Sequence, residues 1–133
     1  MIRFLYLIFS ILLLSSCKNE DVKTSVNRIE LNADWQFRKL GDSLWYPAKV
    51  PGVVHTDLLN NGLIDDPYWR NNELDLQWIE NEDWEYHTTI SVDQEILERQ
   101  RIEINFKGLD TYAKIYLNDS LILQANNMFR TWK

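Results

Sequence analysis

Arg101-Ile-Glu-Ile-Asn-Phe-Lys-Gly-Leu-Asp-Thr-Tyr-Ala-Lys-Ile-Tyr-Leu-Asn-Asp-Ser-Leu-Ile-Leu-Gln124 is the stretch on which the fold turns. Ile102, Ile104 and Phe106 alternate with charged and amide side chains, the period of a half-buried strand. Gly108-Leu-Asp110 interrupts the period. It resumes over Thr111–Leu117, with Ala113, Ile115 and Leu117 on one side and Tyr112, Lys114 and Tyr116 on the other. Asn118-Asp119-Ser120 has the chemistry of a tight hairpin turn and leads into Leu121–Gln124. Strand, turn, strand, turn, strand with no helical period predicts an antiparallel sheet.

The same grammar extends in both directions. Trp84–Val92 alternates, with Trp84, Tyr86, Thr88, Ile90 and Val92 on one face and His87 on the other, at the surface. Arg28–Leu31, Trp35–Leu40 and Trp45–Val50 read as further strands, the last irregular because Pro47 cannot donate to a ladder. Trp132-Lys133 begins another. His55–Asn61 fits one or two helical turns, with Leu58 and Leu59 inward, His55 bonding locally and Gly62 as the stop. Asp93–Gln100 reads as a loop or short helical turn. The pattern predicts an all-β fold: an antiparallel β-sandwich or jelly roll.

Length and composition set bounds. The 133 residues suffice for one domain, with 45% hydrophobic and 26% charged residues, an ordinary globular balance. A net charge of −6 argues against nucleic-acid binding, which needs basic side chains to displace counterions. A single cysteine, Cys17, excludes an internal disulfide framework and a cysteine-rich zinc site.

The N-terminus reads as an export signal. Arg3 precedes an apolar run from Phe4 to Leu14, too short to span a bilayer as a helix. Leu14-Ser15-Ser16-Cys17 resembles the lipobox of bacterial lipoproteins. That resemblance implies cleavage after residue 16 and lipid on the Cys17 sulfur, with stable anchoring if two or more chains are attached. Lys18-Asn19-Glu20-Asp21 resembles the acidic export tag of surface lipoproteins in Bacteroidota. The expected organisation is a signal peptide over 1–16, a polar tether over 17–27 and the β-sandwich over 28–133. The expected location is the periplasm or outer-membrane surface of a Gram-negative cell.

Between the helix and the Trp84 strand lies Asp66–Tyr86. It holds three of the six tryptophans and is dense in carboxylates and amides. Aromatic faces can stack on apolar sugar faces, and polar groups can bond hydroxyls, so the composition suits a carbohydrate. The competing reading is that these tryptophans close the end of the core, since large aromatics dominate burial.

Val50–Asp57, Asp66–Glu73, Trp78–Tyr86, and Phe106–Ala113 with Asn126–Phe129 together resemble the N-terminal, galactose-binding-like jelly roll of β-mannosidases in glycoside hydrolase family 2. The resemblance covers about Leu31 to Lys133. It implies a multidomain enzyme in which an immunoglobulin-like domain and a TIM barrel follow. It implies retaining hydrolysis of terminal non-reducing β-D-mannose by two barrel glutamates about 5–5.5 Å apart. No metal or organic cofactor is implied. The chain reaches only Lys133, so the jelly roll is expected to be incomplete at its C-terminus. The barrel would be a missing partner, with no catalytic residue in the chain and no activity by itself. Asn19-Glu20, Asn72-Glu73 and Asn81-Glu82 match the family's acid/base dipeptide only in the wrong places.

By the same resemblance a loop of this domain reaches the barrel mouth. Asn81, Glu82 and Asp83 are the leading substrate-binding candidates, then Arg70 and Trp69. The alternative for the acids is a solvated loop, and for Arg70 an ion pair with Asp66 or Glu73. Alternative functions are a stand-alone carbohydrate-binding surface lipoprotein or a non-functional remnant.

Overall fold

The computed structural model describes residues 26–133. The chain divides into two units, 1–31 and 32–133. In the first, residues 26–31 form no regular structure, so the strand expected at Arg28–Leu31 is absent. The signal peptide over 1–16, Cys17 and the tether through residue 25 lie outside the described residues.

The second unit is built on two antiparallel sheets. Strands β1 (Gln36–Lys39), β2 (Tyr46–Pro47) and β3 (Trp84–His87) form the first, in the order β2-β1-β3. Register puts Phe37 opposite Tyr46 on one side and Tyr86 on the other, with Arg38 opposite Glu85 and Lys39 opposite Trp84. Strands β4 (Ala113–Leu117) and β5 (Ser120–Ala125) form the second. Helix α1 (Val54–Asn60), helix α2 (Asn72–Asp75) and a 3-10 helix (Gln77–Asn81) come between β2 and β3 in sequence, and helix α3 (Gln94–Leu97) between β3 and β4.

Phe37 is fully buried and organises the core. Its ring centroid lies 5.7 Å from Tyr86, 6.0 Å from Trp84 and 6.2 Å from Tyr46. Strand alternation explains this: Phe37, Tyr46, Trp84 and Tyr86 share the inner face. Leu58 from α1 and Ile79 from the 3-10 helix complete the buried cluster, and Ala48, Val54, Ile64 and Leu76 pack around it. Full burial of one such side chain contributes roughly 1.5–3 kcal/mol. On the outer face Arg38 bonds Glu85 across the ladder at 2.5 Å and lies over the Trp45 ring at 4.3 Å, while His87, exposed as expected, leans on Trp45 from 5.6 Å.

The β4–β5 turn meets its expectation. Asn118 and Asp119 have φ of 47° and 63°, and Leu117 pairs with Ser120 across them. Positive φ at both central residues is the type I′ geometry that Asn and Asp tolerate and that matches strand twist. Gly62 ends α1 with φ of 66°, as a C-terminal glycine should.

Other expectations are corrected. Arg101–Lys107 looked like the clearest strand, yet only Phe106 pairs, with Trp132, and Ile102 is 54% exposed. Alternation encodes a face; it does not supply a neighbour to bond. β3 ends at His87 rather than Val92, because its partner at that point is Gln36, the first residue of β1. In α1, Leu58 is buried but Leu59 is exposed, and Asp57 takes the inward place.

Candidate functional site

The Asp66–Asp83 loop is tied to the core through its C-terminal half. The 3-10 helix buries Ile79, and the Trp84 indole N–H donates to the Ile79 carbonyl at 3.1 Å. Trp78 packs on Trp84 with centroids 6.1 Å apart and stays partly exposed. The competing reading is therefore correct for Trp84, which packs on Phe37, and not for Trp69, which is 62% exposed.

The N-terminal half is held by its own turns. The Asp66 carboxylate accepts the Tyr68 N–H at 2.9 Å, and the Asp66 carbonyl accepts from Trp69 N–H at 3.0 Å and from the Asn72 side chain at 2.8 Å. Tyr68 stands 96% exposed. Arg70 has φ of 56°, and its guanidinium lies 5.7 Å from the Trp69 ring centre, within cation–π range. Among the described residues it makes no ion pair with Asp66 or Glu73; the Asp66 carboxylate is already engaged in its turn.

Asn81, Glu82 and Asp83 do not converge on one point. The exposed Asn81 amide turns back to the Gln77 carbonyl at 3.0 Å. Glu82 pairs with Lys39 at 3.3 Å, beside the end of β1. Asp83 is exposed, and its carbonyl accepts the Leu40 N–H at 2.8 Å, extending the β1–β3 ladder. The structure thus sets Trp69 and Arg70 together at one turn, and Asn81, Glu82 and Asp83 in sequence at the entry to β3.

A second feature escaped the sequence reading. Two open grooves flank His55 and Pro67. One, of about 210 Å³, is lined by Glu73, Leu76, Gln77 and Glu80; the other, of about 310 Å³, by Val53, Thr56, Leu59 and Tyr68. None of the five sequence candidates lines either groove. Among the described residues the His55 side chain makes no local hydrogen bond; His55 lines both grooves instead. The only sequence signal was Tyr68 beside Pro67, and the eleven residues between His55 and Pro67 hide their meeting.

One buried carboxylate anchors helix α1, which carries His55. Asp57 on α1 is 1% exposed and accepts the Lys49 N–H at 2.9 Å and the Tyr86 hydroxyl at 2.9 Å. Burial, then the hydrogen bond from Tyr86 to Asp57, then the charge of Asp57 push the Tyr86 phenol well above its usual range. The bond joins α1 to β3, the strand that receives the loop. Among the described residues no group of three His, Cys, Asp or Glu side chains could hold a metal ion.

Residues 35–133 match the family model described as glycosyl hydrolase 2 galactose-binding domain-like. The chain is similar to a β-mannosidase of Capra hircus, 37% identical over 122 residues, covering 92% of this chain and 14% of that protein. β-Mannosidase B of Aspergillus niger is 37% identical over 107 residues, covering 77% of this chain and 13% of the relative. The crystal structure of β-D-mannosidase from Dictyoglomus thermophilum superimposes with a TM-score of 0.76 at 45% identity, over 78% of this chain and 13% of that one. The chain thus spans about 14% of the length of the curated relatives it matches, and at this identity the superposition establishes the galactose-binding-like β-sandwich.

Proposed function

The chain belongs to the glycosyl hydrolase 2 galactose-binding domain-like family, and from that premise we propose that it serves the hydrolysis of terminal non-reducing β-D-mannose residues as a non-catalytic, pocket-walling domain. The observation that carries this reading is the 45% identity to a solved β-D-mannosidase across 78% of the chain. The barrel carrying the two glutamates is the proposed partner, and β-mannosides are the proposed substrate class. Asn81, Glu82, Asp83, Arg70 and Trp69 are the proposed sugar-facing residues.

The chemistry of the loop supports a wall rather than a reacting centre. The Glu82 carboxylate is engaged with Lys39, and the Asn81 amide with a backbone carbonyl. A retaining glycosidase needs two carboxyl groups about 5–5.5 Å apart across a scissile bond. Trp69 with Arg70 beside it offers an exposed aromatic face and a fork of donors, which suits stacking and hydroxyl recognition.

The proposal extends to location: Cys17 carries lipid, residues 1–16 are removed, 17–27 tether the sandwich over 28–133, and the protein sits in the periplasm or on the outer-membrane surface. The support is the order of Arg3, the apolar run and Leu14-Ser15-Ser16-Cys17. Metabolic labelling with a fatty acid checks it; label retained by Cys17→Ser would overturn it.

The functional test is a chimera. Residues 32–133 replace the matching domain of the D. thermophilum β-D-mannosidase, and aryl β-mannoside turnover is measured. A folded chimera should retain turnover, and Asn81→Ala or Trp69→Ala should lower its kcat/KM. A folded chimera indifferent to substitution of all five residues would refute the wall. Turnover by the purified 133-residue chain, lost on Glu82→Gln, would refute the non-catalytic role.

A further inference from the structure

Helix α1 ends in the single Asn-Gly pair of the sequence, Asn61-Gly62. The Asn61 side-chain Nδ2 donates to the Asp57 carbonyl at 2.8 Å and to the Pro47 carbonyl at 2.9 Å. Pro47 lies in β2, so this amide ties the end of the helix to the edge of the three-stranded sheet. Gly62 has φ of 66°, and its N–H donates to the Leu59 carbonyl at 3.0 Å.

An Asn-Gly pair carries a reaction of its own, because glycine has no side chain to shield its amide nitrogen. When the Gly62 nitrogen loses its proton to solvent base, it can attack the Asn61 side-chain carbon. A bond forms between Gly62 N and Asn61 Cγ, the Cγ–Nδ2 bond breaks, and the nitrogen leaves as ammonia. Water then opens the cyclic imide to an aspartyl or isoaspartyl residue. No oxidant, reductant or enzyme is needed.

We propose that Asn61 is a deamidation site of this domain, restrained by its hydrogen bonds and, once converted, unable to rebuild the tie between α1 and β2. In the fold the leaving nitrogen is bonded to two carbonyls and the attacking N–H to a third, so reaction requires the helix end to open. The product has no donor to offer. Its carboxylate would face two carbonyl oxygens and place a second negative charge four residues from the buried Asp57, a like-charge pair that helices disfavour. The isoaspartyl form also lengthens the backbone at the αL turn. Conversion therefore runs one way and loosens the element that carries His55 and Asp57.

The test ages the full chain at mildly alkaline pH, alone and in denaturant. Peptide mapping by mass spectrometry separates the aspartyl and isoaspartyl forms at position 61, and melting is followed in parallel. Conversion at Asn61 should lead all other asparagines in denaturant and be roughly tenfold or more slower in the fold, where hydrogen bonds must first open. The aged folded sample should melt lower in proportion to conversion, and Asn61→Asp should reproduce the shift. If Asn61→Asp fails to fold, the aged wild-type mixture alone decides, because melting must track conversion. Equal rates in fold and denaturant, an intact Asn61 after other asparagines have converted, or an unchanged melt would overturn the proposal.

Discussion

Tyr86→Phe isolates the bond that fastens α1 to β3. The substitution keeps a ring able to stack 5.7 Å from Phe37 and removes only the hydroxyl that donates to Asp57 at 2.9 Å. Asp57 is 1% exposed, so bulk water does not readily replace the lost donor, and the carboxylate keeps only the Lys49 N–H. Hydrogen bonds to charged groups are worth roughly 1.5–3 kcal/mol, and the retained Lys49 N–H keeps the cost in the lower half of that range. We expect a loss of about 2 kcal/mol. For a domain near 100 residues that lowers Tm by roughly 8–16 °C. Urea unfolding followed by tryptophan fluorescence measures it. Tyr46→Phe is the control, since its ring also contacts Phe37 but its hydroxyl has no hydrogen-bond partner among the described residues; it should stay within about 0.5 kcal/mol of wild type. A double-mutant cycle with Asp57→Asn should return a coupling of roughly 1 kcal/mol or more. Tyr86→Phe no worse than Tyr46→Phe, or a cycle without coupling, would refute the reasoning.

Three more outcomes follow from the geometry. The raised Tyr86 pKa means the fold favours the protonated phenol; its stabilisation is present below about pH 10 and is lost as pH rises from there toward the folded value. An alkaline titration should therefore show a stability loss above about pH 10 that is smaller in Tyr86→Phe. Gly52→Ala should destabilise by roughly 1–3 kcal/mol, because a Cβ there would sit 2.2 Å from the Lys49 carbonyl oxygen, in the residue whose N–H holds Asp57; an unchanged melt would contradict this. Asp119→Val should cost roughly 1–2 kcal/mol at φ of 63° while Asp119→Gly does not, and equal melts for the two would discount the type I′ turn.

What the sequence carried well was local. The hairpin turn at Asn118-Asp119, the helix stop at Gly62 and the shared face of Trp84 and Tyr86 follow from backbone preference and a period of two, and each stands in the structure. Pairing was harder to read. Ile102, Ile104 and Phe106 alternate as clearly as any strand, yet whether they join a ladder depends on a neighbour many residues away. Asp57 was hidden for another reason: a carboxylate on a short helix reads as solvated, and only tertiary structure brings Lys49 and Tyr86 to it. The Asp66–Tyr86 loop reads by composition as suited to a sugar. Its division into a core-bound half around Ile79 and an exposed turn at Trp69 and Arg70 is set by tertiary packing, because tryptophans in both halves look alike in sequence.

The bond from Trp84 to the Ile79 carbonyl bears on the wall role proposed for the loop. It joins the 3-10 helix to the ring system around Phe37, so Gln77–Asn81 cannot detach without disturbing the sheet. A segment so fastened has shed its conformational freedom before any partner arrives. Ordering an otherwise free side chain on binding costs about 0.5–1.5 kcal/mol, and a loop that is already set largely avoids that penalty. Trp84→Phe, which retains an aromatic ring but not the indole donor, should therefore weaken any ligand held by this loop chiefly through entropy, with little change in enthalpy.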